Sequence, residues 1–116
     1  MEIYAGIDIV EIERFKSILK RHGTRFLNRI YTDREIEAVP EGEEELYFCF
    51  SFSFKESVWK ALPDFLQKHV YFKDIEVLWN GKNPSILVNT GKKLKMFNSF
   101  FEIAGNAVTL TLVFLD

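Results

Sequence analysis

The residues that could do chemistry lie in two segments far apart in the chain. Residues 6–11 (GIDIVE) place Asp8 inside an apolar, strand-like run. Residues 52–62 (FSFKESVWKAL) place Glu56 and Lys60 four positions apart in an aromatic-rich stretch. Carboxylate oxygens are ligands for Mg²⁺, and an ammonium group can neutralise phosphate charge. Together the two segments suggest a metal-and-phosphate site assembled from distant parts of the chain.

Asp8 on its own has two interpretations. A carboxylate in a buried strand is costly unless it is paired or bound to a metal, which favours a magnesium ligand. The alternative is an aspartate at a strand end that faces solvent or caps the helix expected near Glu11. Because aspartate is common at strand ends, this residue alone favours the second interpretation.

Glu56 and Lys60 also have two interpretations. At this spacing they share one helix face, and an exposed pair of this kind contributes about 0.3–0.5 kcal/mol. In the other interpretation, Glu56 binds a metal and Lys60 serves phosphate charge or proton transfer. The flanking Phe52 and Trp59 could desolvate both groups, which raises a carboxyl pKa and lowers a lysine pKa. Spacing alone favours the surface pair.

Other familiar catalytic patterns are missing from the sequence. It has no P-loop, no G-x-G-x-x-G and no His or Cys cluster at metal-ligand spacing. His22 and His69 are the two histidines, and neither has the neighbours of a nucleophilic triad. Cys49 lies in an aromatic run and is expected in the core.

Composition limits the classes of protein that fit. The 116 residues, 47% of them hydrophobic, predict a single domain over 1–116 with a real core. The twelve Phe residues also suit a face covered by a partner chain, so we expect an oligomer. The net charge of −2 argues against a general nucleic-acid binder. We interpret an acidic run at 41–45 and a basic run at 92–95 as solvated surface.

The same features predict a cytoplasmic protein without a membrane anchor. Cys49 is the single cysteine, which excludes an internal disulfide and suits a reducing compartment. Met1 is followed at once by Glu2 and a short strand pattern, unlike a secretory signal. No apolar run reaches the roughly 20 residues that span a bilayer.

The first half of the chain predicts a strand and several helices. Residues 1–10 have the pattern of a mostly buried strand, and residues 11–21 have helical spacing that stops at His22-Gly23. A short helix follows, and then Thr32 and Glu35 form a capping box. The helix that they start must end before Pro40. Residues 44–62 are the longest segment without Gly or Pro and predict a helix that Pro63 ends. A strand over 47–54 is the alternative, because aromatic residues favour strands, but the length of the segment favours the helix.

The second half predicts two hairpins. A strand over 70–79, the Asn80-Gly81 turn signal and a returning strand over 84–89 form the first. Residues 91–97 are predicted to form a basic helix. Strands over 99–103 and 107–115, joined at residues 104–106, form the second hairpin. Helices mixed with hairpins predict an α+β domain.

The order of these blocks resembles the holo-acyl-carrier-protein synthase family, the small 4′-phosphopantetheinyl transferases. The opening GIDIVEIERF at 6–15 is very like the start of that family, and FLNRIYT at 26–32 with Glu35 resembles its next block. Residues 52–62, with Lys55-Glu56 and Lys60-Ala61, resemble its central helix. Residues 74–77 with Gly81-Lys82 and Pro84 resemble its first hairpin.

The resemblance implies a transferase fold with an antiparallel sheet and a long central helix. It implies Mg²⁺-dependent transfer of 4′-phosphopantetheine from coenzyme A to a serine of acyl carrier protein, in fatty acid biosynthesis, by a homotrimer with sites at subunit interfaces. Asp8 and Glu56 would bind Mg²⁺, and Lys60 would stabilise or protonate the leaving phosphate. Lys55 and Lys60 would bind the donor, and Arg14 would face the carrier protein.

A non-catalytic relative that kept the fold, as a structural or carrier-binding protein, is the alternative function. Four positions depart from the usual family pattern. Ser51 stands where the family usually has Arg, and Phe54 stands where it usually has a small residue. Pro63 follows the Lys-Ala pair where glycines are usual, and Glu102 stands where the family usually has His. Because a catalytic site needs matched roles, the presence of Asp8, Glu56 and Lys60 together favours the enzyme.

Overall fold

The computed structural model describes residues 1–116, which form five strands and four α-helices. In chain order these are β1 (Glu2–Glu11), α1 (Ile12–Ile30), α2 (Asp33–Ala38), α3 (Glu44–Ala61), α4 (Asp64–Gln67), β2 (Ile75–Asn80), β3 (Asn83–Val88), β4 (Lys95–Ile103) and β5 (Asn106–Leu115). A 3₁₀ turn, Phe72–Asp74, precedes β2. None of the helices combines the length and the apolar character needed to cross a membrane.

Both sheets are antiparallel. β5 is the central strand of a three-stranded sheet with the order β1-β5-β4, and β2 pairs with β3 in a separate hairpin. In the first sheet Asp8 of β1 lies opposite Thr109 of β5. The predicted hairpins and the α+β class are therefore observed.

Helix α3 is the central element of the packing. Its 18 residues contain neither Gly nor Pro, most of its side chains are buried, and it ends before Pro63 as the sequence predicts. One side lies against β1 and β5, while α1 and β2 cover others. The two hydrophobic clusters of the core both include α3 residues, with Phe54 in one and Val58 in the other. One of the two sequence segments that carry the candidate site therefore lies on α3, and the other lies on β1, which packs against this helix.

Local signals at helix ends are confirmed. The Thr32 side chain accepts from the Glu35 backbone N–H, and the Glu35 side chain accepts from the Thr32 backbone N–H, which completes the capping box. The predicted stop at His22-Gly23 is a kink, because Gly23 has non-helical angles inside α1.

Three predictions from the sequence are wrong in detail. The first strand is not mostly buried: one face of β1 packs on α3, while its other face is exposed. Residues 91–97 do not form a helix, because Lys95–Phe97 pair with β5, and this pairing overrides local helix propensity. The strand predicted over 70–79 begins only at Ile75, after the 3₁₀ turn.

Candidate active site

Gly6 lets β1 approach α3 closely enough to build the site. A Cβ atom at Gly6 would lie 2.0 Å from the backbone oxygen of Ser57 and 2.9 Å from the backbone nitrogen of Ala61. Any other residue at this position would push the strand and helix apart. Asp8 lies two residues further on the same face of β1, so the approach carries its carboxylate to Glu56 and Lys60 on α3.

Buried hydroxyl pairs fix the register between α3 and the sheet. Ser53 Oγ lies 2.8 Å from Thr109 Oγ1, and Ser57 Oγ lies 3.0 Å from Thr111 Oγ1. All four side chains are buried. Since unpaired hydroxyl groups would be costly here, these bonds favour one axial position of the helix on the strands.

The Lys60 ammonium is bound to Asp8. Its Nζ lies 2.9 Å from Asp8 Oδ1 and 3.2 Å from the backbone oxygen of Ile7. The expected surface pair between Lys60 and Glu56 is absent, because Lys60 reaches across to β1 instead. An ammonium has three N–H donors, and the Lys60 side chain is 45% exposed, so one donor remains for an anionic ligand.

The second oxygen of Asp8 has no partner. Oδ2 is buried and makes no hydrogen bond, and the Asp8 side chain as a whole is only 11% exposed. A buried carboxylate oxygen without a donor is costly, and a cation would satisfy it. The interpretation of Asp8 as a solvent-facing residue or a helix cap is therefore wrong.

Glu56 lies close enough to Asp8 for the two charges to interact. Partial burial raises the pKa of Glu56, and the Asp8 carboxylate raises this pKa further, while Lys60 opposes the shift. Asp8 and Glu56 thus place two negatively charged carboxylates near each other, and Asp8 Oδ2 has no hydrogen-bond partner. These oxygens are suitable ligands for a hard cation. No cluster of three such ligands exists, so Mg²⁺ at this point would take its other ligands from phosphate oxygens and water.

An open cleft of about 310 Å³ adjoins Glu56. Its walls are Trp59, Val70, Tyr71 and Phe72. Trp59 is 38% exposed and is held at the cleft edge by paired bonds with Gln67. The bulky Phe54 lies in the core and does not enter the cleft. The space beside the Glu56 carboxylate is thus open to a ligand.

Lys55 is not part of this cleft. Its side chain is 0% exposed, and its Nζ is bound to Glu35 Oε1 at 2.7 Å, to the Phe72 oxygen at 2.7 Å and to the Ile75 oxygen. All three donors are used inside the protein. Burial lowers the pKa of Lys55 and raises that of Glu35. The structure therefore removes Lys55 from the predicted donor-binding groups.

The other predicted positions lie around the site. Arg14 is exposed on α1, beside a cleft of about 440 Å³ between α1 and β1. Ser51 is buried and accepts from Trp79 Nε1 at 2.8 Å. Glu102 is exposed on β4. Cys49 is buried, and burial raises the pKa of its thiol to about 12, so it is inert.

Sequence patterns did not identify two residues that build the site. Gly6 starts the GIDIVE motif, and its signal is that a glycine inside a strand indicates a close backbone approach. Glu35 was assigned only to the capping box, and its second role with Lys55 involves residues 20 positions apart.

The family is shown by comparison with known proteins. A family model described as the 4′-phosphopantetheinyl transferase superfamily matches residues 4–113, a span that contains Asp8, Glu56 and Lys60. The chain belongs to the 4′-phosphopantetheinyl transferase superfamily. The resemblance of the sequence blocks to these transferases is confirmed.

Relatives within the superfamily match in sequence and in fold. The chain is 39% identical over 84 residues to a holo-[acyl-carrier-protein] synthase of Chlamydia caviae, covering 72% of this chain and 69% of that protein. It is 40% identical over 94 residues to the synthase of Carboxydothermus hydrogenoformans, covering 80% and 75%. A holo-(acyl-carrier-protein) synthase of Bacillus anthracis, solved in complex with CoA (3′,5′-ADP), has a TM-score of 0.74 at 25% identity, covering 95% of this chain and 94% of that protein.

The pKa of Glu56 gives a prediction. The pKa of Glu56 is raised in the folded protein. Protonated Glu56 therefore adds to the free energy of unfolding in full at a pH below the pKa of the unfolded chain, and this contribution is lost as the pH rises through the pKa of the folded protein.

Asp8→Asn removes the neighbouring negative charge, so the pKa of Glu56 should fall toward its ordinary value of 4.5. Carboxyl ¹³C NMR of Glu56 across the pH range measures this. An unchanged titration midpoint would show that the two carboxylates do not interact.

Proposed function

We propose that this transferase moves the 4′-phosphopantetheine group of coenzyme A to a serine hydroxyl of an apo acyl carrier protein, for fatty acid biosynthesis, with Mg²⁺ held by Asp8 and Glu56. One observation carries the proposal. Asp8, whose Oδ2 is buried without a partner, is bound by Lys60 and interacts with Glu56, and Glu56 lines an open cleft. This arrangement suits a pyrophosphate, because it offers oxygen ligands for a divalent cation and an ammonium donor.

The reaction needs charge neutralisation more than covalent chemistry. The serine oxygen forms a bond to the phosphorus that carries pantetheine, and the bond from that phosphorus to the bridging oxygen breaks. Adenosine 3′,5′-bisphosphate leaves, and the serine loses its proton. A Mg²⁺ ion, when bound, would neutralise the pyrophosphate charge. Lys60, with its free N–H, would stabilise the phosphate that leaves.

The carrier protein would dock at α1. Arg14 is exposed there and offers a cation to an acidic partner surface. The relatives from Chlamydia caviae and Carboxydothermus hydrogenoformans are named as synthases that act on acyl carrier protein, and the relative from Bacillus anthracis was solved with coenzyme A. These names support the choice of both substrates.

A transfer assay tests the proposal. The protein is incubated with coenzyme A, Mg²⁺ and an apo acyl carrier protein, and intact-mass spectrometry follows the carrier. We expect the carrier to gain one phosphopantetheine group, and a chelator to stop the gain. Absence of a mass gain on a panel of carriers, together with absence of coenzyme A binding, would contradict the enzyme.

A non-catalytic carrier-binding relative is the second candidate. It is favoured by the loss of a cation at Ser51, whose hydroxyl is used by Trp79 inside the core, and by the exposed negative charge of Glu102. Such a protein would bind apo acyl carrier protein in a calorimeter without changing its mass. The same assay therefore separates the two functions.

We also propose that the chain works as a homotrimer in the cytoplasm, with residues 1–116 as one domain. The outward face of the three-stranded sheet supports self-association, because large apolar side chains are exposed along both edge strands. They are Ile3, Ile7 and Ile9 on β1 and Phe97, Phe101 and Ile103 on β4. A second copy would cover this face and remove it from water.

Phe97→Glu tests the trimer. A charge in the covered face would be desolvated without a partner, so we expect the trimer to dissociate and transfer to fall with it. Leu87→Glu is the matched control, because Leu87 is equally apolar and exposed but lies on β3 of the other sheet. Light scattering measures the mass. A wild type that is monomeric at assay concentrations would contradict the trimer.

A further inference from the structure

A buried polar cluster lies directly behind the cleft. It consists of the Lys55 ammonium, the Glu35 carboxylate and the backbone groups that they bind, and we call it the Lys55 hub. The side chains are 0% and 1% exposed, and they join α3 to α2. Buried ion pairs can often be replaced by apolar residues without loss of stability. Stability alone therefore does not explain why a charged pair occupies this position.

The hub binds the backbone of the cleft wall. Lys55 Nζ donates to the Phe72 oxygen at 2.7 Å and to the Ile75 oxygen. The Phe72 oxygen also accepts the Ile75 N–H that closes the 3₁₀ turn. Phe72 and the preceding Tyr71 are walls of the cleft. The ammonium therefore holds both ends of the turn that forms this wall.

The other half of the hub anchors the wall to the rest of the fold. Glu35 Oε1 accepts from the Thr32 backbone N–H at 3.1 Å, and Oε2 accepts from the Val77 backbone N–H at 3.1 Å. The carboxylate thus connects the start of α2 to strand β2, which follows the wall directly. Every donor and acceptor of the pair is satisfied, which gives the cluster one well-defined geometry.

Lys55 and Glu56 are consecutive on α3, but their side chains extend in different directions, one into the core and one into the cleft. Glu56 reaches the cleft as the candidate cation ligand, while Lys55 reaches the wall opposite. We propose that Lys55, held by Glu35, is a positioning residue that sets the distance between the cation site and the aromatic wall, and so sets the affinity for coenzyme A. This inference rests on the proposed function for its ligand. Small misplacements of such a wall are costly for binding and catalysis.

The test replaces both members of the pair at once. Glu35→Gln/Lys55→Met removes both charges together, so neither is left buried and uncompensated, and Gln keeps the capping box. The matched control is Glu13→Gln/Lys16→Met, which makes the same two kinds of change. That pair joins two residues within α1, at 3.8 Å, away from the residues that line the cleft.

Two measurements on the folded variants test whether Lys55 positions the cleft wall. Hydrogen exchange of residues 70–76 should become about tenfold faster in the hub variant and stay unchanged in the control, because the turn loses its buried donor. The dissociation constant for coenzyme A, measured by calorimetry, and its KM should rise about tenfold, while kcat changes by less than about twofold. Lys55→Gln combined with Glu35→Gln restores an N–H donor and should recover part of the affinity.

The outcomes separate this inference from the proposed function. Faster exchange with unchanged coenzyme A affinity would make the hub purely structural and overturn the positioning role. Unchanged exchange would overturn it as well, even if the wild type proved inactive, because that measurement needs no substrate. If Glu35→Gln/Lys55→Met does not fold, Glu35→Gln/Lys55→Gln takes its place, and smaller changes in the same directions are then expected in both exchange and coenzyme A affinity. Failure of the wild type to bind coenzyme A would contradict the proposed function separately.

Discussion

Asp8→Asn reduces phosphopantetheine transfer by at least about a hundredfold while the protein stays folded. The amide keeps the size of the side chain but removes the charge that faces Lys60 and the oxygen that lacks a partner. Because charge neutralisation at the pyrophosphate supplies most of the rate, loss of one of two carboxylates should affect kcat strongly. Intact-mass kinetics on the carrier protein measure the rate, and thermal unfolding confirms the fold.

Asp33→Asn is the control for this change. Asp33 is exposed in the first turn of α2 and lies outside the site, so its loss should leave the rate within about twofold. Glu56→Gln should match Asp8→Asn, since both carboxylates are proposed to hold the same cation. A wild-type rate in either Asp8→Asn or Glu56→Gln would remove that residue from the site.

Gly6→Ala destabilises the protein by about 3 kcal/mol or more and abolishes transfer. The added Cβ would lie 2.0 Å from the backbone oxygen of Ser57, and a backbone atom cannot move aside as a flexible side chain can. Relief requires β1 and α3 to separate, which also moves Asp8 away from Lys60. Chemical denaturation measures the stability, and the transfer assay measures the rate.

Gly91→Ala separates this steric effect from the backbone effect of losing a glycine. At Gly91 φ is +74° and nothing lies within 4 Å of an added Cβ, so only backbone strain of about 1 kcal/mol is expected. Transfer should remain. Equal destabilisation by the two substitutions would show that the close approach at Gly6 is not required.

Local patterns in the sequence predicted much of the fold. The capping box of Thr32 and Glu35, the end of α3 before Pro63 and the Asn80-Gly81 turn depend on residues within a few positions of each other. Each signal acts through nearby backbone groups, so no tertiary information is needed to recognise it.

Predictions failed where distant contacts decide the structure. Residues 91–97 have helix-forming lysines, yet Lys95 pairs with Phe114 at the other end of a hairpin. The family resemblance implied that Lys55 binds the donor, but its bonds to Glu35 and Phe72 hold it inside the core instead. Which face of β1 is exposed depends on the side that α3 covers, and the sequence pattern does not give this for a run that is apolar on both faces.

The candidate site itself was predictable only in parts. Asp8, Glu56 and Lys60 were identified by residue type and family resemblance, but spacing alone favoured an ordinary surface pair for the last two. The structure changes this because Lys60 binds Asp8 at 2.9 Å across the strand–helix interface. That partner is 52 residues away in sequence, and Gly6 brings the two segments together.

The cation site that we propose at Asp8 and Glu56 is tested most directly by a crystal structure of the protein grown with coenzyme A and Mn²⁺, a divalent ion with a strong anomalous signal. We expect one anomalous peak in contact with both carboxylates and with the pyrophosphate of coenzyme A. We also expect Lys60 to contact a phosphate oxygen. Bound coenzyme A with no peak between Asp8 and Glu56, or with the ion held elsewhere, would contradict this site.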